Sequence, residues 1–125
     1  MSFSNYLETK VLGHVFGGTA YTQPTKYIAL YSAAPGEAGG GTEISGTNYV
    51  RQTAAFTVTG DTASNTAAIE FPTAGSAWGT ITHIGVMDAS SSGNLLAYGT
   101  LTASKTISSG DVFRIPLGDL DITLN

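Results

Sequence analysis

The chain of 125 residues contains no cysteine. A disulfide framework and a cysteine-based zinc site are thereby excluded, and the composition suits folding in a reducing cytoplasm. Charge is nearly as scarce. Asp, Glu, Lys and Arg make up 11% of the sequence, against about 25% in an ordinary soluble domain. The five cations are scattered, and the formal net charge is −4. No phosphate-tracking stripe is expected from that distribution, so nucleic acid is not an expected partner. Long apolar runs are missing too: no segment approaches the ~18 residues of a membrane-spanning helix. The leading stretch "MSFSNYLETKVLGHVFGG" has no basic region before its apolar pattern and carries Glu8 and Lys10 inside it. It is read as something other than a secretion signal. No fixed-period repeat is visible.

Thr, Ser and Gly take up the polar positions instead. A surface poor in charge has little defence against self-association, which suits a protein that sits beside copies of itself. The length is that of a single domain, residues 1–125, and a domain of this size buries about two thirds of the surface its unfolded chain exposes.

One segment reads as a helix. Phe3, Tyr6, Leu7, Val11, Leu12, Val15 and Phe16 recur at helical spacing and form a broad apolar stripe. Asn5 and Glu8 have the spacing of a capping box, and Gly17-Gly18 supplies the stop. The expectation is a helix over residues 5–16 whose stripe packs on a sheet or on a neighbouring subunit. Residues 26–125 then read as strands and turns. Strand patterns fall at 26–31, 48–60 (one long strand or two short ones), 65–71, 79–89, 94–103, 111–117 and 120–124. "GDTAS", "PTAGSAWG", "ASSSGN", "SKTISSGD" and "PLGD" punctuate them. Seven or eight short strands argue for an antiparallel sandwich, a jelly-roll-like domain or an incomplete barrel. The segments 79–89 and 94–103 form the best hairpin. Pro116 belongs at an edge or a bulge, because it cannot donate to a ladder.

Residues 33–47 form a glycine-rich connection of unusual length. Bare chain of this kind is expected to be mobile alone and ordered against a neighbouring subunit. The candidate interface residues are Glu37, Gly39, Gly40, Gly41, Glu43, Tyr49 and Arg51. Glycines let backbone approach backbone, and Arg51 suits pairing with Glu37 or Glu43, across a subunit boundary or within its own chain.

Catalytic constellations are poorly supported. His83 with Asp88 and a serine suggests a triad, but no serine stands in a Gly-x-Ser-x-Gly elbow. His14 and His83 lack a third ligand in sequence, so no metal site and no cofactor are expected. Asp88, Ser90, Ser92 and Gly93 match the first positions of a calcium loop, but Gly99 occupies the twelfth, where a Glu is needed; a hairpin turn accounts for them better. Glu37, Glu43, Asp119 and Asp121 are carboxylates without a framework. Trp78 with Tyr98 and Tyr49 has the makings of a sugar-stacking platform. The favoured alternative is a rim aromatic whose indole N–H bonds a carbonyl. The expectation is that the protein is not an enzyme.

The order of "NYLETKVLGHVFGG", "YIALYSAAPGEAGGGTEISGTNYVRQ", "NTAAIEFPTAGSAWGTITHIGVMDA" and "GNLLAYGTLTASKTISSGDVFRIPLGDLDITL" resembles a family of small phage virion proteins usually labelled tail-fibre proteins. The resemblance covers nearly the whole chain. It implies a structural component of a bacteriophage virion, assembled in the host cytoplasm. The expected partners are copies of the chain itself, as a homo-oligomer, and other virion proteins such as major capsid or tail proteins. No membrane is expected among them. A chain this short, without repeats or a long shaft segment, is expected to be a head decoration or cement protein making subunit contacts. The alternative is a tail-fibre or tail-associated protein that binds a carbohydrate receptor.

Overall fold

The computed structural model describes residues 1–124. Along them run β1 (Ser2–Phe3), α1 (Asn5–Val15), β2 (Lys26–Ala33), β3 (Thr42–Glu43), β4 (Gln52–Ala54), β5 (Phe56–Thr59), β6 (Thr62–Asn65), β7 (Ile69–Glu70), β8 (Gly79–Met87), β9 (Leu95–Ile107), β10 (Arg114–Ile115) and β11 (Asp121–Thr123). The protein is mainly β, and every strand pair is antiparallel. The largest sheet has the order β1-β9-β8-β2-β3, with β4 also on β2; β10-β7 and β11-β6-β5 form two smaller ones.

The long strands explain the largest sheet. In "KYIALYSA", alternate side chains serve opposite faces. Ile28 and Leu30 enter the main core, while Ala29 and Tyr31 join Met87 and Leu95 in a second cluster behind the sheet. Covered on both faces, this strand reads as continuously apolar. The main core unites Leu30, Ile81 and Ile84 of the large sheet with Ile69, Ile115 and Leu120 on or beside the small ones. The small sheets thus cover one face of the large one, a sandwich-like arrangement. The expected hairpin is β8–β9. Its ladder jumps from Ile81↔Lys105 to His83↔Thr100, five steps on β9 against two on β8, so β9 carries extra residues there.

Several boundaries differ from expectation. The helix is capped by Ser4, whose Oγ accepts from Leu7 N at 3.1 Å, rather than by Asn5. Ser4 is buried because its N–H donates to Leu96 O and its hydroxyl to Leu95 O. These tethers lie at the start of α1. Tyr6 and Leu7 pack against the core, but Leu12, Val15 and Phe16 are 59%, 60% and 82% exposed. The stripe is therefore half-buried at Tyr6, Leu7 and Val11 and exposed at Leu12, Val15 and Phe16, so its last part does not dock on the sheet. Residues 60–64 are not all turn. Gly60 and Asp61 make the connection, and β6 pairs with β5 from Thr62 onward. "TASN" becomes a strand because it lies between β5 and β11. The buried Asn65 bonds Ala67 O, Pro116 O and Leu120 N through its side chain. Pro116 falls just after β10, outside the ladder.

The glycine-rich stretch contains β3, which pairs with the end of β2. Ile44 is buried and its N–H donates to Leu30 O; Pro35 is buried as well. Gly41 shows why glycine is needed. Its φ is +75°, and a Cβ would stand 2.5 Å from Ala34 O and 2.6 Å from Ala33 O. The close approach is to the protein's own backbone. At Gly40 a Cβ would meet Pro35 O at an ordinary 3.6 Å. Gly41→Ala is expected to cost about 1–3 kcal/mol and Gly40→Ala much less, read from urea-denaturation midpoints. Equal midpoints for the two variants would contradict the strand return.

Candidate functional site

The connection between β3 and β4 folds back tightly on the core. Gly46 allows this by lying against Trp78, whose Cδ1 would be 2.5 Å from a Cβ at that position. Trp78 Nε1 donates to Thr47 O at 3.0 Å, and Asn48 takes a positive φ of 72°. The turn delivers Tyr49 into an aromatic cluster. Its ring lies parallel to Phe71 at 6.2 Å between centroids and meets Trp78 edge-on at 5.5 Å. Phe71 in turn packs edge-on to Phe113 at 5.8 Å.

The Tyr49 hydroxyl emerges from this cluster beside two charged groups. It donates to Glu43 Oε2 at 2.6 Å and accepts from Leu30 N at 3.0 Å. The second bond fills a gap at the edge of β2, between the stretches paired with β4 and with β3. Arg51 then grips the same carboxylate with two donors: Nε to Oε2 at 2.9 Å and Nη2 to Oε1 at 2.8 Å. Its Nη1 donates to Ala89 O at 2.9 Å and Ser92 O at 2.8 Å, both in the β8–β9 turn. One guanidinium thus ties β3, the segment leading to β4 and the hairpin tip. The planar fork of Arg suits this bidentate geometry, which Lys cannot reproduce. The side chains of Arg51 and Glu43 are 7% and 26% exposed.

Burial alone pushes the Glu43 carboxyl up, but the bonds from Arg51 and Tyr49 outweigh it and hold the group below the usual carboxylate range. Tyr49 is pushed far up, first by burial and then by its bond to the Glu43 carboxylate. The phenol is therefore held as a donor to the Glu43 carboxylate. All the polar groups of this cluster point at one another or at backbone.

Of the seven interface candidates, the structure brings Glu43, Tyr49 and Arg51 together and satisfies the ion pair within the chain. Glu37, Gly39, Gly40 and Gly41 lie apart on an exposed return. Glu37 contributes only its backbone carbonyl, which accepts from Asn5 N at 2.9 Å. His14 Nδ1 accepts from Tyr21 N at 3.0 Å, and His83 Nδ1 lies 2.8 Å from the Thr82 hydroxyl. Asp88 accepts from the backbone and side-chain nitrogens of Asn94, the work of a hairpin turn. Trp78 is 4% exposed. Tyr49 lies beside it, while Tyr98 packs against the second cluster. The three rings do not form a common platform. Among the described residues no group of three His, Asp or Glu side chains is placed to hold a metal ion. Asn65 and the carbonyls of Ala89 and Ser92 escaped the sequence reading. Nothing local marks that asparagine as buried, and backbone acceptors have no sequence signal at all.

Residues 2–123 match the family described as "Podophage GP4 fiber I protein gp80". No curated protein matches the chain.

Two outcomes test the clasp. Tyr49→Phe removes one hydroxyl that serves both Leu30 N and Glu43, and is expected to cost about 1–3 kcal/mol in denaturant unfolding. The pH dependence has a definite sign. A carboxylate held below its unfolded value stabilises the fold above about pH 4.3, and that contribution is lost as pH falls through the lower folded value. The melting temperature should therefore drop across this acid range in the wild type. Glu43→Gln should flatten the Glu43 part of that drop while lowering the plateau at neutral pH.

Proposed function

The chain belongs to the podophage fiber I protein family, and we propose that within the phage particle it is a non-catalytic structural part of a fibre. It is held there by contacts with copies of itself and with other virion proteins. The family match carries the fibre reading, and the Arg51 cluster supports its non-catalytic part. The most specific polar arrangement in the molecule is saturated internally by Glu43, Ala89 and Ser92. Its chemistry braces loops, and it holds no free nucleophile, base or ligand-binding fork. The buried position of Trp78 likewise favours bracing over saccharide stacking.

Decoration of the head is the second reading. It draws on the short strands and on the missing shaft-like repeat: the longest element is the 13-residue β9. Gold-labelled antibody on intact particles separates the two. Label on the tail fibres is the expected result. Label over the head shell would select the decoration reading, and unlabelled particles would overturn both. On a glycan array the isolated protein is expected to show no saccharide preference.

A further inference from the structure

Two surface depressions, one between β1, α1 and the end of β11 and the other at the end of β9, have complementary chemistry. The first is a trough of about 440 Å³. Its apolar lining includes Phe3, Val11, Leu12 and Leu124, and Glu8 and Glu37 stand on it with their side chains exposed. The exposed end of α1 and its C-cap continue the trough, since Val15 and Phe16 follow Val11 and Leu12 at a spacing of four. The second is a groove of about 330 Å³ lined by Lys105, Val112 and Arg114 among others. Val112 is 43% exposed.

Of the five Lys and Arg side chains, those of that groove are the ones the fold has not used. Arg51 is clasped, Lys10 lies 5.4 Å above the Tyr6 ring, and Lys26 Nζ donates to Pro24 O. Among the described residues, Lys105 and Arg114 make neither an ion pair nor a side-chain hydrogen bond. Two carboxylates lie near them. Asp111 also lines the groove but accepts from Ser108 N in its own turn. Glu70 is the cross-strand partner of Arg114 yet forms no ion pair with it.

One molecule cannot close these two surfaces on itself. The trough includes Phe3 of β1, which stands opposite Ala97 of β9. Lys105 stands opposite Ile81, whereas Ala97 stands opposite Val86. Those five residue steps of β8 amount to about 16 Å. Like surfaces are also unsuited to each other. A trough against a trough opposes Glu8 and Glu37 to their own copies, and a groove against a groove opposes cations.

We propose that copies of this chain join head to tail, the acidic apolar trough of one receiving the Lys105–Arg114 groove of the next. The inference rests on the reading of the chain as a fibre part and names the partner: a second copy in a heterologous contact. Such a contact repeats. It generates a ring where the rotation closes and an open filament where it does not. The apolar lining supplies adhesion, and the charges select the orientation.

Analytical ultracentrifugation of the purified chain over a concentration series tests this. The wild type should exceed monomer mass, and added salt should weaken the assembly. The double variants Glu8→Lys with Glu37→Lys, and Lys105→Glu with Arg114→Glu, should each weaken it at least about tenfold. Mixing the two should restore it, because reversed heads then meet reversed tails; the quadruple variant should restore it too. Leu12→Ser alters an exposed position without adding charge, so it should leave the circular dichroism spectrum and melting temperature intact while reducing assembly. A wild type that stays monomeric at its solubility limit overturns the proposal. So does assembly that survives reversal at either end, or reversed pairs that fail to rescue each other. A monomeric wild type that still labels on the fibres overturns the head-to-tail contact alone and leaves the fibre assignment standing.

Discussion

The Arg51 guanidinium makes four hydrogen bonds, two to the Glu43 carboxylate and two to carbonyls of a different hairpin. Three segments that do not pair with one another meet at this one side chain. Its strength comes from geometry and burial together. The fork fits a carboxylate in plane, and Tyr49 satisfies a further lone pair of Glu43. A half-buried pair of this kind contributes to stability only when its remaining hydrogen-bonding capacity is filled. Losing one partner leaves the other charge partly desolvated, so the pair behaves as a unit.

The aromatic cluster beneath makes that geometry possible. Phe71 and Trp78 fix the plane of the Tyr49 ring, and the ring fixes its hydroxyl between Leu30 N and Glu43. Trp78 in turn needs Gly46 beside it and Thr47 O as acceptor. Glycine, aromatic ring and charge thus form one chain of dependence running from the core to the surface. This explains how a protein with 11% charged residues orders a connection with little apolar surface of its own. Fixing backbone costs roughly 1–2 kcal/mol per residue. Buried Ile44 and Pro35, the short ladder of β3 and the clasp together oppose that cost.

The same economy of charge shapes the exterior. With Arg51 occupied inside the chain and Lys10 lying over a tyrosine ring, few cations are left to give the surface polarity. In the proposed head-to-tail assembly, orientation would depend on where those few stand relative to Glu8 and Glu37. Apolar area without such markers would associate in many registers. The exposed second half of α1 fits this picture. An amphipathic helix tethered only at its first turn leaves its later apolar residues available to another molecule.

Local pattern was enough to identify the helix, the strands at 26–31, 79–89 and 94–103, the hairpin between the last two, and the mainly antiparallel β class. Each rests on periodicity or on turn residues within a short window, where neighbouring side chains decide the outcome. The resemblance to phage fibre proteins was legible for the same reason, in contiguous motifs. The partnership of Glu43 with Arg51 was visible only as one option among several. Whether a carboxylate eight residues away pairs in the same chain depends on how Gly46, Asn48 and Trp78 turn the backbone between them. Strand β6, the burial of Asn65 and the exposure of Leu12 were decided by tertiary structure alone. "TASN" has no strand periodicity and pairs because β5 and β11 flank it. A helix stripe states which residues would be buried if a surface lay beneath them, and only the packed fold determines where that surface ends.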